Sequence, residues 1–319
     1  MNKRYDVITS GYVSMDRIIK IKTPATVGFT SLIGNKTCSD IYYGGCSVNI
    51  SYNLCRLGVT AMPIIRVGGD YEKIGFKDFL QKAGMPMDAL TVIPDERTSV
   101  CYLLQNEQGQ HITLFYPGAM DGAFAKPLDD HVFENAGLGV MTVGSRADNE
   151  EFFKMCLRHK LPLAFSMKGD MDAFPKDFLR ELLSYCFIIF TNERERQAIE
   201  EIFNGNILAL LEKGNAEVIV TTLGSKGSRC YFKSPEGVKE ESVPICDLGP
   251  PKDATGSGDA YVSGFLYGYL GGKTPRECAM LGTVLSSFVI EKEGCCTGTP
   301  GKDSLMVRYE WFAKQCEGV

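Results

Sequence analysis

An alternation of apolar, β-rich runs with helical runs predicts an α/β protein, a three-layer α/β/α fold around a mainly parallel sheet. Six runs have the composition of buried strands: residues 6–13, 61–67, 138–143, 161–165, 187–191 and 218–222. Helical patterns lie between most of them, at residues 46–57, 71–83, 149–158, 176–185 and 193–203, and the chain becomes mostly helical after Gly256. With 319 residues, 44% of them hydrophobic, the chain can bury the core of one large domain.

Two segments, about 17–43 and 97–117, depart from this alternation. They contain short strand-like runs, such as 99–105 and 111–116, which the turn-rich residues 106–109 separate. Runs of this kind pair as hairpins. We therefore expect residues 1–319 to form a single domain in which these two segments lie outside the main sheet, as a small β lid over the ligand site.

Charge and apolar patterning exclude several classes of protein. The net charge is −5, and no run of Lys or Arg provides the electrostatic footprint for nucleic acid or an anionic membrane. No apolar segment reaches the length of a membrane span, and the N-terminus lacks the apolar core of a signal peptide, so we expect a cytoplasmic protein. The twelve cysteines include no C-x-x-C pair and are accompanied by three histidines, which favours reduced thiols over a zinc site.

The most informative motif is the loop Asp-Ala-Thr-Gly-Ser-Gly-Asp at residues 253–259, which precedes an apolar run of helical length. The first N–H groups of a helix bind anions, and Gly256 and Gly258 let a phosphate approach them closely. Asp259 would repel a phosphate that was merely bound, whereas a carboxylate here can serve as the base for an attacking hydroxyl. The loop therefore indicates phosphoryl transfer, although an ordinary capped turn would have the same glycine spacing.

Two other phosphate motifs fail on inspection. Residues 272–274 read Gly-Lys-Thr, as at the end of a P-loop, but that motif needs a glycine where this chain has Tyr267. Residues 256–261 supply two of the three glycines of a dinucleotide fingerprint and lie near the C-terminal end of the chain. The sequence therefore argues against a nicotinamide dehydrogenase.

Four motifs in order resemble those of one family. The Gly44-Gly45-Cys-Ser-Val-Asn49 stretch and residues 253–259 resemble the paired signatures of the PfkB (ribokinase-like) family of small-molecule kinases. Residues 191–195, Thr-Asn-Glu-Arg-Glu, look like its N-x-x-E element, and residues 222–227 look like its nucleotide-binding strand and loop. The resemblance extends over nearly the whole chain. It implies a ribokinase-like domain with a β lid that transfers the ATP γ-phosphoryl group to an alcohol.

The resemblance also implies roles at the phosphate end of the site. Asp259 would be the catalytic base, and the N–H groups of Gly256, Ser257 and Gly258 would form the anion hole. Asn192 and Glu195 lie three residues apart at a helix start, so both can face a hydrated Mg²⁺ ion, which prefers oxygen ligands and keeps several waters. They could equally cap the helix.

The remaining nucleotide-side residues have two interpretations each. Thr222, Gly224 and Gly227 would contact the nucleotide, whereas a plain strand–turn–strand would have the same pattern. Asp253 would help to hold a monovalent cation such as K⁺, with a later loop near residues 293–297. It could also be a structural residue that fixes the glycine loop through its N–H groups.

The acceptor side is predicted at Asp16, Gly44, Gly45 and Asn49, because a carboxylate and an amide bind neighbouring hydroxyls and glycines allow close approach. The stretch Ser-Met-Lys-Gly-Asp at residues 166–170 departs from the D-x-N-x-R element of many sugar-specific members. Aromatic residues in or near the lid could stack on a base or serve only in packing: Phe29, Tyr42, Tyr43, Phe115 and Tyr116.

Several substrates and assemblies stay open. We favour a sugar kinase over a nucleoside (adenosine-like) kinase. The preference is narrow, because residues 264–268 and 287–291 are also similar to adenosine-kinase-like members. A non-catalytic sensor of sugars or nucleotides would be expected to lose Asp259 or the anion-hole glycines, which this chain retains. The protein could be a monomer, or a homodimer that pairs through an edge of the lid.

Overall fold

The computed structural model describes residues 3–106 and 111–316, so the turn expected at residues 106–109 lies almost wholly outside the described residues. The strands are β1 (Tyr5–Ser10), β2 (Ser14–Lys20), β3 (Tyr42–Gly44), β4 (Ala61–Gly68), β5 (Leu90–Ile93), β6 (Val100–Gln105), β7 (His111–Tyr116), β8 (Ala136–Met141), β9 (Leu163–Ser166), β10 (Ile188–Asn192), β11 (Val218–Thr222), β12 (Ser228–Ser234) and β13 (Gly237–Val243). The helices are α1 (Cys46–Arg56), α2 (Phe76–Lys82), α3 (Asp130–Glu134), α4 (Arg146–His159), α5 (Lys176–Tyr185), α6 (Glu193–Phe203), α7 (Ala209–Lys213), α8 (Ser257–Leu270), α9 (Pro275–Val289) and α10 (Lys302–Cys316).

The large sheet has nine strands in the order β13-β12-β11-β10-β9-β8-β1-β4-β5. Its strands pair in parallel except at β12 and β13, which are antiparallel. The expected mainly parallel sheet is thus confirmed, with more strands than the six predicted. The edge strands β5 and β13 were not predicted, because most of their side chains are exposed or half-buried and their sequences contain no buried apolar run.

Helices cover both faces of this sheet. One core cluster joins it to α1, α8, α9 and α10, and a second joins it to α3, α4, α5, α6 and α7. The helix α8 packs closely on α9, since a Cβ on Gly264 would lie 2.4 Å from the carbonyl oxygen of Leu281. This packing fixes the N-terminus of α8 at the carboxyl edge of the sheet. No described helix is long and apolar enough to cross a membrane.

A second sheet has four strands in the order β3-β2-β6-β7. The pair β6–β7 is the expected antiparallel hairpin. The strand β2 begins at Ser14, earlier than expected, and pairs in parallel with β6 as well as antiparallel with β3. The two unusual sequence segments therefore join in one sheet rather than in two separate hairpins, since a parallel pair is not visible in local sequence.

Candidate active site

The glycine loop enters helix α8 as the sequence predicts. Gly256 is the N-cap residue with φ of +79°, and no side chain caps the helix. A Cβ at this position would lie 2.7 Å from the Cβ of Cys295, so a side chain would collide with the neighbouring loop. Gly258 follows in the first turn, while the N–H of Ser257 donates to the carbonyl of Ala254 at 3.2 Å. The first turn thus presents backbone N–H groups that no earlier helical turn can accept.

Asp259 lies in the first turn of α8 and is 3% exposed. Its Oδ2 accepts a hydrogen bond from Asn49 Nδ2 at 2.8 Å. Its Oδ1 pairs with Lys168 Nζ at 2.7 Å. A carboxylate buried this deeply requires such partners to remain charged. Asp259 therefore joins α8 to helix α1 and to the loop after β9.

Lys168 is a site residue that the sequence analysis did not identify. The sequence feature near Lys168 is the departure from D-x-N-x-R at residues 166–170. We related that departure to the substrate and did not predict a functional cation at this position. Burial opposes the charged ammonium, but the carboxylates of Asp259 and Glu195 favour it and help hold the pKa of Lys168 above its ordinary value. Lys168 is thus a cation at the entrance to α8, with Nζ 3.7 Å from the position that a Cβ on Gly258 would take.

Three of the predicted acceptor residues meet beside Asp259. A Cβ on Gly44 would lie 2.9 Å from Asn49 Oδ1 and 3.5 Å from Asp16 Oδ2, so both polar side chains face this glycine. The contact between Asn49 and Asp259 then connects this group to the candidate base. We call Asp16, Gly44, Asn49 and Asp259 the acceptor cradle.

Gly45 supports the cradle through its backbone. It is the N-cap of α1 with φ of +97°, and a Cβ would lie 2.3 Å from the carbonyl oxygen of Tyr12. Only glycine fits this close approach between the start of α1 and the segment that follows β1. Gly45 therefore sets the direction of α1, on which Asn49 stands.

The carboxyl of Asp16 is nearly buried, and that burial raises its pKa to about 6. Hydrogen bonds from the Ser14 hydroxyl and from the Cys295 thiol, whose Sγ lies 3.8 Å from Oδ2, act in the opposite direction. The negative charges of Asp253 and Asp259 raise the pKa further. Asp16 therefore changes its charge close to neutral pH.

A row of paired residues crosses the small sheet at Asp16. Asp16 pairs with Tyr42 on one side and with Cys101 on the other, and Cys101 pairs with Phe115. Directly paired residues on neighbouring strands point to the same face of a sheet. The Phe115 ring therefore lies on the Asp16 face, where it contacts the Tyr12 ring at a centroid distance of 4.8 Å and keeps 38% of its surface exposed.

The other predicted aromatic residues have different surroundings. Tyr43 packs on Phe79 and donates its hydroxyl to a backbone carbonyl at 2.7 Å. The hydroxyl groups of Tyr42 and Tyr116 donate to glutamate side chains, and Phe29 is 80% exposed. Of these rings, Phe115 has both an open surface and a place in the Asp16 row.

The nucleotide-side residues border a separate cavity of about 340 Å³. Thr222, Gly224 and Gly227 line one side of it, and the first turn of α8, with Ser257 and Gly258, lines another. Gly227 has φ of +88°, and a Cβ there would lie 2.1 Å from a carbonyl oxygen. The predicted turn after β11 and the glycine loop therefore face one space, large enough for part of a nucleotide.

Asn192 and Glu195 form a capping box at the start of α6. Asn192 Oδ1 accepts from the Glu195 N–H at 2.9 Å, and Glu195 Oε2 accepts from the Asn192 N–H at 2.8 Å. The capping role that the sequence left open is thus present. Both residues also line a small cleft with Lys168, Thr222 and Gly258. Burial raises the pKa of Glu195, while Lys168 acts in the opposite direction.

Asp253 holds two loops together. Its Oδ1 accepts hydrogen bonds from the N–H and the hydroxyl of Thr255, at 3.0 and 2.6 Å, within the glycine loop. Its Oδ2 accepts from the Gly294 N–H at 3.0 Å. The structural role considered for Asp253 is therefore present, and it extends to residues 293–296.

Comparison with known proteins places this geometry in a family. The family described as pfkB family carbohydrate kinase matches residues 6–302. A nucleoside kinase of Methanocaldococcus jannaschii is 29% identical over 269 residues, which cover 84% of this chain and 86% of the relative. The crystal structure of a nucleoside kinase from that organism has a TM-score of 0.85 at 25% identity, covering 98% of this chain and 100% of that one.

A more distant structure has the same fold. The Arabidopsis thaliana ribokinase complexed with ribose and ATP has a TM-score of 0.80 at 20% identity, covering 97% of this chain and 99% of that chain. The extent of the family match decides the assignment. The chain belongs to the pfkB family of carbohydrate kinases, ATP-using phosphotransferases that act on a hydroxyl group.

Proposed function

We propose that the protein is a nucleoside kinase, which transfers the γ-phosphoryl group of ATP to a hydroxyl on the ribose of a nucleoside. The observation that carries this substrate class is the row Asp16, Cys101 and Phe115 on one face of the small sheet. A carboxylate at one position can bind ribose hydroxyls, and an open aromatic ring at the other can stack on a base.

The dimensions of the row favour an acceptor longer than a free sugar. Neighbouring strands lie about 4.8 Å apart, so Phe115 on β7 lies about 10 Å from Asp16 on β2. Cys101 between them has a small side chain, which is buried beside Ile18 and Leu103. A ribose bound to Asp16 would reach the Phe115 ring through an attached base.

The relatives support the same substrate class. The curated relative from M. jannaschii is a nucleoside kinase, and a second one, from Methanothermobacter thermautotrophicus, is 24% identical over 97% of both chains. The sequence favoured a sugar narrowly, and this chain lacks the D-x-N-x-R element that many sugar-specific members carry. We therefore propose a nucleoside, rather than a free sugar, as the preferred acceptor.

In the proposed reaction Asp259 accepts the proton of the acceptor hydroxyl. Within the cradle, Asn49 donates to Asp259 Oδ2 and so fixes the orientation of the base relative to that hydroxyl. The N–H groups of the N-cap residue Gly256 and of Gly258 in the first turn of α8 would face the negative charge of the transferring group, whereas the third predicted donor, the Ser257 N–H, donates to the Ala254 carbonyl at 3.2 Å. Phosphoryl transfer depends on this kind of positioning and electrostatic stabilisation more than on covalent catalysis.

We propose that Asn192 and Glu195 contact Mg²⁺ through water. Each uses one oxygen in the capping box, and Glu195 retains Oε1 beside the cleft that Thr222 and Gly258 also line. This donor set fits an ion that prefers oxygen and keeps its waters. When bound, Mg²⁺ would supply neutralisation of the phosphate charge.

We propose that Asp253 acts first by fixing the glycine loop, since three donors from Thr255 and Gly294 bind its carboxylate. The K⁺ site predicted beside it is tested by comparing the rate in K⁺ with the rate in tetramethylammonium at equal ionic strength. A higher rate in K⁺ would support a cation at this loop. Equal rates would leave Asp253 with its structural role alone.

A sugar kinase is the second candidate, because the acceptor cradle alone would suffice for a ribose. An ADP-release assay with Mg-ATP separates the two when purine and pyrimidine nucleosides are compared with ribose and other pentoses and hexoses. We expect kcat/KM for the best nucleoside to exceed that for ribose by about 5- to 150-fold, the effect of one stacked base. Ribose as the better acceptor would favour the sugar kinase, and no stimulation by any acceptor would favour the sensor.

The assembly and location are proposed on separate grounds. The outer face of the small sheet exposes Tyr102, Ile112, Leu114 and Tyr116, an apolar surface that a second copy of the chain would cover. We propose a homodimer through this face, which sedimentation of the protein would test against a monomer. We also propose a cytoplasmic location, where ATP is available and where the twelve unpaired thiols would remain reduced.

A further inference from the structure

Lys168 lies where the base and the anion hole meet. Its Nζ is 2.7 Å from Asp259 Oδ1 and 3.7 Å from the position of a Cβ on Gly258. We propose that Lys168 is a catalytic residue whose ammonium contacts the transferring γ-phosphoryl group. The proposal rests on the kinase activity. It adds Lys168, a residue of the loop after β9, to the groups that bind the transferring phosphoryl group.

Lys168 lies beside the position proposed for the phosphoryl group. That group must lie between the hydroxyl activated by Asp259 and the first-turn N–H groups of α8. Lys168 contacts Asp259 and stands over Gly258, so it borders the same space from a third side. Its side chain is 28% exposed, and it lines the small cleft that also contains Asn192 and Glu195.

The charge of the site requires a cation at this point. Asp16, Asp253, Asp259 and Glu195 bring four carboxyl groups to the region, and the triphosphate adds further negative charge. An ammonium has three donors, and Asp259 Oδ1, although 2.7 Å from Nζ, accepts none of them in hydrogen-bond geometry. Lys168 therefore has N–H groups available for the equatorial oxygens of the phosphoryl group, on which charge is spread in the transition state.

The step balances without a further reactant. The acceptor oxygen forms a bond to the γ-phosphorus, the bond from that phosphorus to the β,γ-bridging oxygen breaks, and ADP leaves with the electron pair. The proton of the acceptor hydroxyl passes to Asp259. Lys168 keeps its own proton and directs its N–H groups to the phosphoryl oxygens, while Asp259 Oδ1, which has no hydrogen-bond partner among the described residues, accepts the proton.

The test uses Lys168→Met, which keeps the length of the side chain and removes its charge. Titration calorimetry without any acceptor gives the dissociation constants of Mg-ATP and Mg-ADP. We expect ATP to bind about 10- to 100-fold more weakly and ADP to stay within about twofold, since ADP has no γ-phosphoryl group. We expect kcat to fall by about 100- to 1,000-fold, with partial recovery in Lys168→Arg.

A purely structural counter-ion would behave differently. If ATP and ADP binding change equally in Lys168→Met, or if kcat stays near that of the wild type, the proposal is overturned. The ATP and ADP titrations involve no acceptor, so a failed nucleoside assignment would leave the result of that binding comparison unaffected.

Should Lys168→Met fail to fold, the wild type supplies the measurement. Its lysines are dimethylated with ¹³C, and the Lys168 resonance is assigned from Lys168→Arg. We expect that resonance to shift with Mg-ATP and not with Mg-ADP. The same spectrum with both nucleotides would contradict the contact.

Discussion

The phosphate half and the acceptor half of this site are built in different ways. The phosphate half is almost contiguous, since the loop from Asp253 to Asp259 contains the proposed backbone donors and the proposed base. The acceptor half is assembled from separate elements, with Asp16 on β2, Asn49 on α1 and Phe115 on β7. The first depends on local backbone geometry, whereas the second depends on how the small sheet docks on the large one.

Residues 293–296 connect the two halves. Gly294 donates to Asp253 beside the anion hole, and the thiol of Cys296 donates to Asn49 Oδ1 at 3.3 Å. Glu293 pairs with Lys20 at the end of β2. Residues 293–296 therefore contact both halves, and the variants below separate the effects on each half.

Asp259→Asn is expected to have the largest effect, because it removes the base that both halves share. We expect kcat to fall by about 10²–10⁴-fold. The amide remains almost the same size, so the dissociation constant of Mg-ATP should change little. Steady-state rates and ATP titration on the same preparation measure both, and near-normal turnover in a folded variant would remove Asp259 from the role of base.

The acceptor half is expected to show a pH dependence of its own. Because the pKa of Asp16 is raised to about 6, its carboxylate is lost as the pH falls below that value. At pH 5 about one-tenth of it is ionised, so the KM for the acceptor should be about tenfold higher than at pH 7. The KM for ATP should not follow the same curve.

Asp16→Asn provides the control for that titration, since an amide does not ionise in this range. We expect its acceptor KM to be raised about 10- to 100-fold at pH 7 and to vary little between pH 5 and pH 7. A pH profile of acceptor KM that is unchanged by Asp16→Asn would assign the titration to another group.

Phe115→Ala separates a nucleoside from a free sugar within the acceptor half. Loss of the ring should raise the KM for a nucleoside by about 5- to 150-fold and leave the KM for ribose unchanged. The control is Val238→Ala, an exposed apolar residue on the edge strand β13 of the large sheet. Equal effects of Phe115→Ala on both acceptors would show that the ring only supports packing.

Gly256→Ala tests the phosphate half through stability. Its positive φ and its contact with Cys295 both oppose a side chain, and we expect a loss of about 3 kcal/mol in the free energy of unfolding. Gly272→Ala is the control, with φ of +69° and no atom within 4 Å of the added Cβ, and should lose about 1 kcal/mol. Equal losses in denaturant unfolding would contradict the tight contact between the two loops.

The sequence predicted the fold and the loop-to-helix geometry of residues 253–259 well because both have local signals. Glycine spacing identifies the N-terminus of α8, and apolar runs identify the buried parallel strands. The edge strands β5 and β13 were missed because exposure removes the apolar signal.

Contacts between distant segments could not be predicted. Lys168 reaches Asp259 across 91 positions of the chain, and nothing near residue 168 indicates that partner. The thiols of Cys295 and Cys296 lie beside Asp16 and Asn49 only because the C-terminal helices return to the start of α1. The row from Asp16 to Phe115 likewise depends on the parallel pairing of β2 with β6, which no local pattern specifies.

The most direct test of the proposed nucleoside kinase activity follows the phosphoryl group itself. The enzyme is incubated with Mg-ATP labelled at the γ-phosphorus and an equimolar mixture of nucleosides and ribose, and the labelled products are separated. We predict that the label enters a nucleoside monophosphate and that Asp259→Asn slows this transfer by about 10²–10⁴-fold. Label found in ribose phosphate or only in inorganic phosphate would contradict the proposed acceptor.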